Sequence, residues 1–261
     1  MLSFIVTAAG VVFVYMTAVF LIALSRKNNS IVDVAWGLGF ILVAMTTLLL
    51  KPGITIRQVL VDGLVAVWGL RLAVHICSRN RGRGEDFRYA KWRRDWGRWF
   101  VPRSFLQIFM LQGILMLLIS SPILLVNRSP EEGLTPLDAL GAGVWVVGFF
   151  FEAVGDHQLK IFKRKPESRG KIMTSGLWSY TRHPNYFGEA TLWWGIWLLS
   201  LSVDGGWAGI VSPLTVSLLL LRVSGVSMLE KKYAGNQEFA SYARRTSAFF
   251  PMPPNKTKKT S

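Results

Sequence analysis

Long apolar stretches recur along this chain, and no other feature of the sequence restricts its fold as strongly. A helix needs about 20 apolar residues to cross the hydrocarbon core of a bilayer. Seven stretches come close to that length, at residues 2–24, 31–50, 56–77, 105–126, 137–154, 186–201 and 207–229. They predict an all-α integral membrane protein with seven transmembrane helices, the fifth of which continues past the membrane toward Phe162.

The composition favours the same class of protein. Of the 261 residues, 51% are hydrophobic and only 17% are charged, whereas a soluble domain carries about 25% charged residues. An ordinary cytosolic enzyme and a disordered chain are therefore poor fits. The single cysteine, Cys77, excludes a disulfide framework and a zinc site built from cysteines, and we expect no metal. We expect one domain over residues 1–250 and a disordered basic tail over residues 251–261.

The basic residues predict the orientation of the helices. The net charge is +15, and 25 of the 30 Lys and Arg residues lie in four segments, at residues 26–27, 79–103, 160–182 and 231–259. Seven spans place all four segments on one side, which the positive-inside rule makes cytoplasmic. We therefore expect the N-terminus outside and the C-terminus in the cytoplasm. Topology and attraction to anionic lipid account for much of the charge. No nucleic-acid-binding motif is visible, so we expect no nucleic acid partner.

Polar side chains interrupt five of the apolar stretches, where they are costly unless they face a cavity or each other. Several recur every four residues and thus share a helix face, and all fall in the predicted cytoplasmic half. They are Asp33, Arg71, His75, Glu152, Asp156, Lys160, Asn185, Glu189, Arg222 and Glu230. Two interpretations stay open at this point: a cavity that binds a ligand from the cytoplasm, or ion pairs that join helices.

The densest polar motif covers residues 176–189. Pro184 favours the start of a helix, whose unpaired N–H groups attract anions. Arg182, His183 and Asn185 add side-chain donors at the same place. The residues alone predict a cavity for a large anionic cofactor beside a lipophilic substrate.

Three motifs, at residues 30–37, 79–89 and 182–189, resemble the bacterial branch of the steroid 5α-reductase family. The resemblance extends from about residue 28 to residue 251. It implies a seven-helix membrane reductase that uses NADPH. We also expect a monomer in a bacterial inner membrane, with the active site open to the cytoplasm. The expected reaction is reduction of the 4,5 double bond of 3-oxo-Δ4-steroids or similar lipophilic enones. An enone accepts hydride only if the emerging enolate is stabilised, and the family uses a carboxylic acid and a tyrosine near the ketone.

The resemblance also assigns roles to individual residues. Asp33 is similar to the ketone-facing acid, although Val32 stands where vertebrate relatives have glutamine. The region expected to hold the tyrosine, residues 68–71, contains none, so Trp68, Trp36 or a tyrosine from elsewhere is expected to substitute. The residues expected to act in catalysis are Asp33, Trp36 and Glu189. Those expected to bind NADPH are Arg71, Asn80, Arg81, Arg83, Glu152, Asp156, Lys163, Tyr180, His183, Asn185, Glu189, Arg222, Glu230, Arg244 and Arg245.

An alternative function shares part of this pattern. The Arg-His-Pro run at residues 182–184 is also similar to a motif of isoprenylcysteine and phospholipid methyltransferases, which use S-adenosylmethionine. NADPH carries a diphosphate and a 2′-phosphate, whereas the methyl donor carries no phosphate. The basic segment 79–103 and Arg222 therefore favour NADPH. A small transporter or scaffold is the non-enzyme alternative.

Overall fold

The structure is a computed structural model that describes residues 1–223, 225–233 and 235–255. The described residues form helices and no strand. The α-helices are α1 (Leu2–Ser25), α2 (Ile31–Leu48), α3 (Ile56–Asn80), α4 (Phe87–Trp96), α5 (Phe100–Ser104), α6 (Leu111–Ile119), α7 (Ser121–Arg128), α8 (Pro136–Arg164), α9 (Pro184–Ser200), α10 (Val211–Leu218), α11 (Val226–Lys232) and α12 (Gln237–Arg245). Phe105–Met110 and Leu219–Val223 are π-helical, and Gly97–Trp99, Pro166–Ser168, Gly176–Ser179 and Gly206–Ile210 are 3-10 turns.

Among the described residues, six helical stretches are long and apolar enough to cross a membrane, which indicates an integral membrane protein. They are Leu2–Ser25, Ile31–Leu48, Ile56–Asn80, Phe87–Ile119, Pro136–Arg164 and Gly206–Lys231. The sixth predicted span corresponds to α9, which has 17 residues and so falls short of the usual spanning length. Seven spans and the orientation of the termini stay predictions.

The helix ends differ from the predicted ones where polar residues continue a helix. The structure extends α3 to Asn80. The helix α8 continues to Arg164, which agrees with its predicted continuation toward Phe162. The predicted span 105–126 contains a break, because α6 ends at Ile119 and a new helix begins with Pro122 in its first turn. Proline lacks the N–H that an uninterrupted helix would need there.

The chain divides into two compact units, each of which is discontinuous in sequence. Unit 1 comprises Met1–Asp138 and Leu199–Ser212, and unit 2 comprises Ala139–Leu198 and Pro213–Ser261. A single domain over residues 1–250 stays a prediction. Of the predicted tail, only residues 251–255 are described, and the Met252 N–H donates to the Tyr180 carbonyl at 2.9 Å. Residues 256–261 lie outside the described residues.

Glycines allow close contact between helix backbones within each unit. In unit 1, a Cβ atom added to Gly37 of α2 would lie 2.5 Å from the carbonyl oxygen of Gly69 in α3. In unit 2, a Cβ atom on Gly188 of α9 would lie 2.3 Å from the backbone nitrogen of Glu152 in α8. Small residues at such crossings are typical of helices packed within membranes. They place Asp33 beside α3, and Glu152 beside α9.

Replacement of Gly37 by alanine should therefore destabilise the protein by about 1–3 kcal/mol, the usual cost of overpacking a close contact. Gly10→Ala is the matched control, because nothing lies within 4 Å of its added Cβ atom. Thermal unfolding of the detergent-purified variants measures the difference. Equal unfolding temperatures for the two variants would contradict the close contact of α2 with α3.

Candidate functional site

The first candidate cluster surrounds Asp33, in the first turn of α2 in unit 1. The Tyr89 hydroxyl donates to Asp33 Oδ1 at 2.7 Å, and Arg88 Nη2 donates to Asp33 Oδ2 at 3.3 Å. Tyr89 is buried, whereas 18% of the Asp33 side chain is exposed. The carboxylate is thus held between a neutral donor and a cation, and it stays accessible from outside unit 1.

The start of α4 positions Arg88 and Tyr89. Asp86 is the N-cap of this helix, and its Oδ1 accepts from the Arg88 N–H at 3.0 Å and from Arg88 Nε at 2.9 Å. The Asp86 N–H in turn donates to Ser30 Oγ at 2.7 Å, beside the start of α2. Burial alone would raise the pKa of Asp86, but the hydrogen bonds from Arg88 outweigh it and lower that pKa. Asp86 is therefore ionised at neutral pH and can hold Arg88.

A second set of contacts joins the same two segments. Glu85 Oε1 accepts from the Asn29 N–H at 2.8 Å, and Arg93 binds both Glu85 oxygens, at 2.8 and 3.0 Å. Asn29 Nδ2 also donates to Ser104 Oγ at 3.0 Å. Two of the three sequence motifs, about 50 residues apart in the chain, therefore lie side by side.

Aromatic side chains continue from Asp33 into the apolar part of unit 1. Trp36 packs edge-on against Phe40 with ring centroids 5.3 Å apart, and Phe40 packs against Trp68 at 5.5 Å. Trp36 lies one turn after Asp33, so both are on one face of α2. The hydroxyl beside Asp33 comes from Tyr89, to which the sequence analysis gave no role. Its position inside the motif at residues 79–89 was the available signal.

The second candidate cluster lies in unit 2, where α8 meets the first turn of α9. Asn185 Nδ2 donates to Asp156 Oδ1 at 3.1 Å, and both side chains are half-buried. Glu152, one turn before Asp156, is 2% exposed, and its backbone packs against Gly188. Glu189, one turn after Asn185, is half-buried. The structure thus brings together four of the residues that the sequence predicted to bind the cofactor.

Arg182 and His183 instead contact the C-terminal part of unit 2. Arg182 Nε donates to Glu230 Oε1 at 2.8 Å, and Arg182 Nη1 donates to the carbonyls of Ala243 at 3.0 Å and Thr246 at 2.6 Å. His183 Nε2 lies 3.3 Å from the same Glu230 oxygen. Burial lowers the pKa of His183 more than Glu230 raises it, so the ring is neutral at neutral pH.

Further hydrogen bonds attach the C-terminal segment, defined as residues 237–252, to the loop at residues 178–183. The Arg182 N–H donates to the Ser247 carbonyl at 2.8 Å, and Thr181 Oγ1 donates to the Phe249 carbonyl at 2.8 Å. The buried Tyr242 hydroxyl donates to the Trp178 carbonyl, and burial raises the pKa of this tyrosine. The segment is therefore attached at several points.

The other predicted cofactor residues differ in exposure. Arg71 and Asn80 are half-buried, whereas Arg81, Arg83, Lys163, Tyr180, Arg222, Arg244 and Arg245 are exposed. An exposed guanidinium group can bind a phosphate through two parallel hydrogen bonds. The exposed cations of each unit could therefore bind phosphate groups. Among the described residues, no group of three or more His, Cys, Asp or Glu side chains could hold a metal ion.

Comparison with known proteins identifies the family. The profile of a family described as a protein of unknown function, DUF1295, matches residues 19–246. The chain belongs to the DUF1295 family. The 3-oxo-5-alpha-steroid 4-dehydrogenases 1 of Bos taurus and Homo sapiens are similar to this DUF1295 chain, at 37% identity over 68 residues and 36% over 70 residues. These matches confirm the resemblance to steroid 5α-reductases.

The similarity to curated relatives is partial. The match covers 26% of both chains for the Bos taurus protein and 27% of both for the Homo sapiens protein. The probable O-methyltransferase ustE of Ustilaginoidea virens is 28% identical over 111 residues, which is 42% of this chain and 37% of the relative. No solved structure matches this DUF1295 chain.

Replacement of Arg182 by lysine should release the C-terminal segment. A lysine ammonium cannot reproduce the fork of bonds to Glu230, Ala243 and Thr246, and each lost bond to a charged group costs about 1.5–3 kcal/mol. We expect trypsin to cleave within residues 237–252 at least tenfold faster, as measured by fragment mass. Arg169→Lys, at an exposed loop position, is the control. Unchanged cleavage in the Arg182 variant would show that Arg182 does not hold the segment.

Proposed function

We propose that this protein is a membrane reductase that uses NADPH to reduce the 4,5 double bond of 3-oxo-Δ4-steroids or similar lipophilic enones. The proposal rests on the contact between the Tyr89 hydroxyl of α4 and the Asp33 carboxylate in the first turn of α2. The two oxygens are 2.7 Å apart. The relatives named as 3-oxo-5-alpha-steroid 4-dehydrogenases support the reaction class.

The pair suits the chemistry of a ketone that gains negative charge. When an enone is reduced, charge develops on the carbonyl oxygen, and a donor aimed at that oxygen lowers the barrier. Tyr89 and Asp33 share a proton that either group can present to the oxygen. Arg88 contributes a fixed positive charge beside the same carboxylate. Trp36 and Phe40 supply the apolar surroundings that a lipophilic ring system needs.

The cofactor groups that we propose belong to unit 2. Bound NADPH supplies the hydride. In our proposal Asp156, Asn185 and Glu189 bind the amide and hydroxyl groups of the cofactor. The phosphates are bound by exposed cations of the same unit, and the proposed set is Lys163, Arg222, Arg244 and Arg245. Arg81 and Arg83 of unit 1 stay predictions as phosphate ligands. Several arginines suit a cofactor with a diphosphate and a 2′-phosphate.

The proposal includes an orientation in the membrane. With α9 as the sixth of seven spans, the four basic segments lie on the cytoplasmic side and the N-terminus lies outside. Asp33 and Asn185 then belong to helix ends on the cytoplasmic side, from which NADPH is supplied. We propose a monomer in a bacterial inner membrane, with the site open to the cytoplasm.

A membrane methyltransferase that uses S-adenosylmethionine is the second candidate. The probable O-methyltransferase relative, which matches 42% of the chain, favours it. The several exposed arginines favour NADPH, because the methyl donor has no phosphate for them to bind.

Ligand titration distinguishes the two candidates. A ligand that binds only the folded protein stabilises it by about 2.7 kcal/mol at a concentration of 100 Kd. We expect NADPH, rather than S-adenosylmethionine, to raise the unfolding temperature of the purified protein. Progesterone or testosterone should then cause oxidation of NADPH, followed by the absorbance of the reduced nicotinamide. Stabilisation by S-adenosylmethionine alone would reverse the assignment.

Asp33→Asn and Tyr89→Phe should each lower kcat by about 10²–10⁴-fold, the usual contribution of a positioned proton donor. Both variants should bind NADPH as the wild type does, because neither residue belongs to the proposed cofactor set. Asp95→Asn, an exposed acid on the same helix as Tyr89, controls for loss of charge. Tyr15→Phe, which loses a bond to the Ala35 carbonyl, controls for loss of a tyrosine hydroxyl. An unchanged kcat would remove the altered residue from the mechanism.

A further inference from the structure

A second polar cluster lies in unit 1, at the end of α2 opposite Asp33. Thr47 follows Asp33 by 14 residues, which is about 21 Å along the helix axis. Thr47, Asp62 of α3 and Asn127 of α7 meet there, and their exposed fractions are 0%, 8% and 1%. The proposed reduction uses none of these three residues.

The Asn127 amide nitrogen has more acceptors around it than it has hydrogens. Nδ2 lies 3.2 Å from the Ala44 carbonyl, 3.0 Å from Thr47 Oγ1, and 3.3 and 3.1 Å from the two Asp62 carboxylate oxygens. An amide NH₂ group has only two hydrogens to donate. The Asn127 Oδ1 atom is buried and has no hydrogen-bond partner. The Thr47 hydroxyl donates to the Val43 or Ala44 carbonyl, so its proton does not serve the carboxylate.

If the Asn127 amide is rotated by a half-turn, an acceptor oxygen replaces the donor nitrogen in the cluster. The oxygen and nitrogen of an asparagine are assigned from their surroundings and can be exchanged. After the exchange, Oδ1 joins the carbonyl, hydroxyl and carboxylate oxygens, so that five oxygens face one another. Such an arrangement needs positive charge at its centre, and hard cations prefer oxygen ligands of these kinds.

The charge of the cluster favours a monovalent cation. Asp62 is the only acid of the cluster, and the neighbouring Asp138 is already paired with Arg57 at 2.9 Å. One carboxylate balances one positive charge, whereas divalent ions usually take more carboxylates or keep several waters. Gln58 Nε2 donates to the carbonyls of Asn127 and Ser129 at 3.2 and 3.0 Å, which fixes the backbone that carries Asn127.

We propose that Asp62, Asn127, Thr47 and the Ala44 carbonyl form a binding site for one sodium ion. The ion neutralises the buried carboxylate and joins α2, α3 and α7. The stability of unit 1 then depends on the sodium concentration on the side of the membrane where α3 begins. The site is independent of NADPH and of the proposed reaction.

The test compares thermal unfolding of the purified full-length protein in NaCl, KCl and choline chloride at equal ionic strength, without nucleotide. Equal ionic strength matches the screening of surface charges. We expect the unfolding temperature to rise with NaCl, to saturate, and to rise less in the other salts. An equal unfolding temperature in all three salts would overturn the proposal, and an equal rise in KCl would overturn the assignment to sodium.

Variants test whether the response comes from this cluster. Thr47→Val keeps the shape of the side chain but removes one ligand, and should raise the half-saturating NaCl concentration about tenfold. Asp62→Asn should abolish the response, and Asp204→Asn, an exposed acid of the same unit, should keep it. Retention of the wild-type sodium response by Thr47→Val or Asp62→Asn would place the ion elsewhere. If Asp62→Asn does not fold, Thr47→Val and the wild-type salt comparison still decide the proposal.

Discussion

A charged side chain in an apolar helix needs a partner, and unit 1 supplies partners from distant parts of the chain. The groups are Asp33 with Tyr89 and Arg88, and Arg57 with Asp138. Removal of one member of a buried ion pair costs about 3–5 kcal/mol, because a charge is left without compensation. Apolar packing is compatible with several arrangements of the helices, whereas only a few arrangements bring the members of these groups into contact. They therefore fix which helices are neighbours.

Of the two interpretations of the polar stripes, the structure shows internal pairs for some residues, and the ligand cavity stays a prediction for the others. In the motif at residues 182–189, Arg182 and His183 bind Glu230 and the C-terminal segment. The role of His183 as a cofactor ligand stays a prediction. Asn185 has its own contact with Asp156 on α8. The start of this short motif thus holds the C-terminal part of unit 2, and the residues that follow it in α9 are the candidate ligand groups.

Hydrophobicity predicted most of the long helices, because a run of apolar residues is a local property of the sequence. It missed α4 (Phe87–Trp96), which is rich in arginine and is helical because Asp86 caps it and tryptophans pack along it. It also did not single out Asp62, because one acidic residue changes the mean hydropathy of a long apolar segment very little. The contact of Tyr89 with Asp33 joins residues 56 positions apart, and no pattern within either segment encodes that distance.

The structure of α2 also determines from which side protons reach Asp33. Between Asp33 and Thr47, α2 carries Phe40 and Val43, both fully buried. Phe40 packs against Trp68 of α3, and Gly37 is in close backbone contact with Gly69. Apolar side chains in close contact provide no chain of donors along which a proton could pass. These side chains of α2 therefore offer no proton path from the Asp62 cluster to Asp33. In the reduction that we propose, the proton comes through Tyr89 and Asp33, on the side that carries the basic segment 79–103.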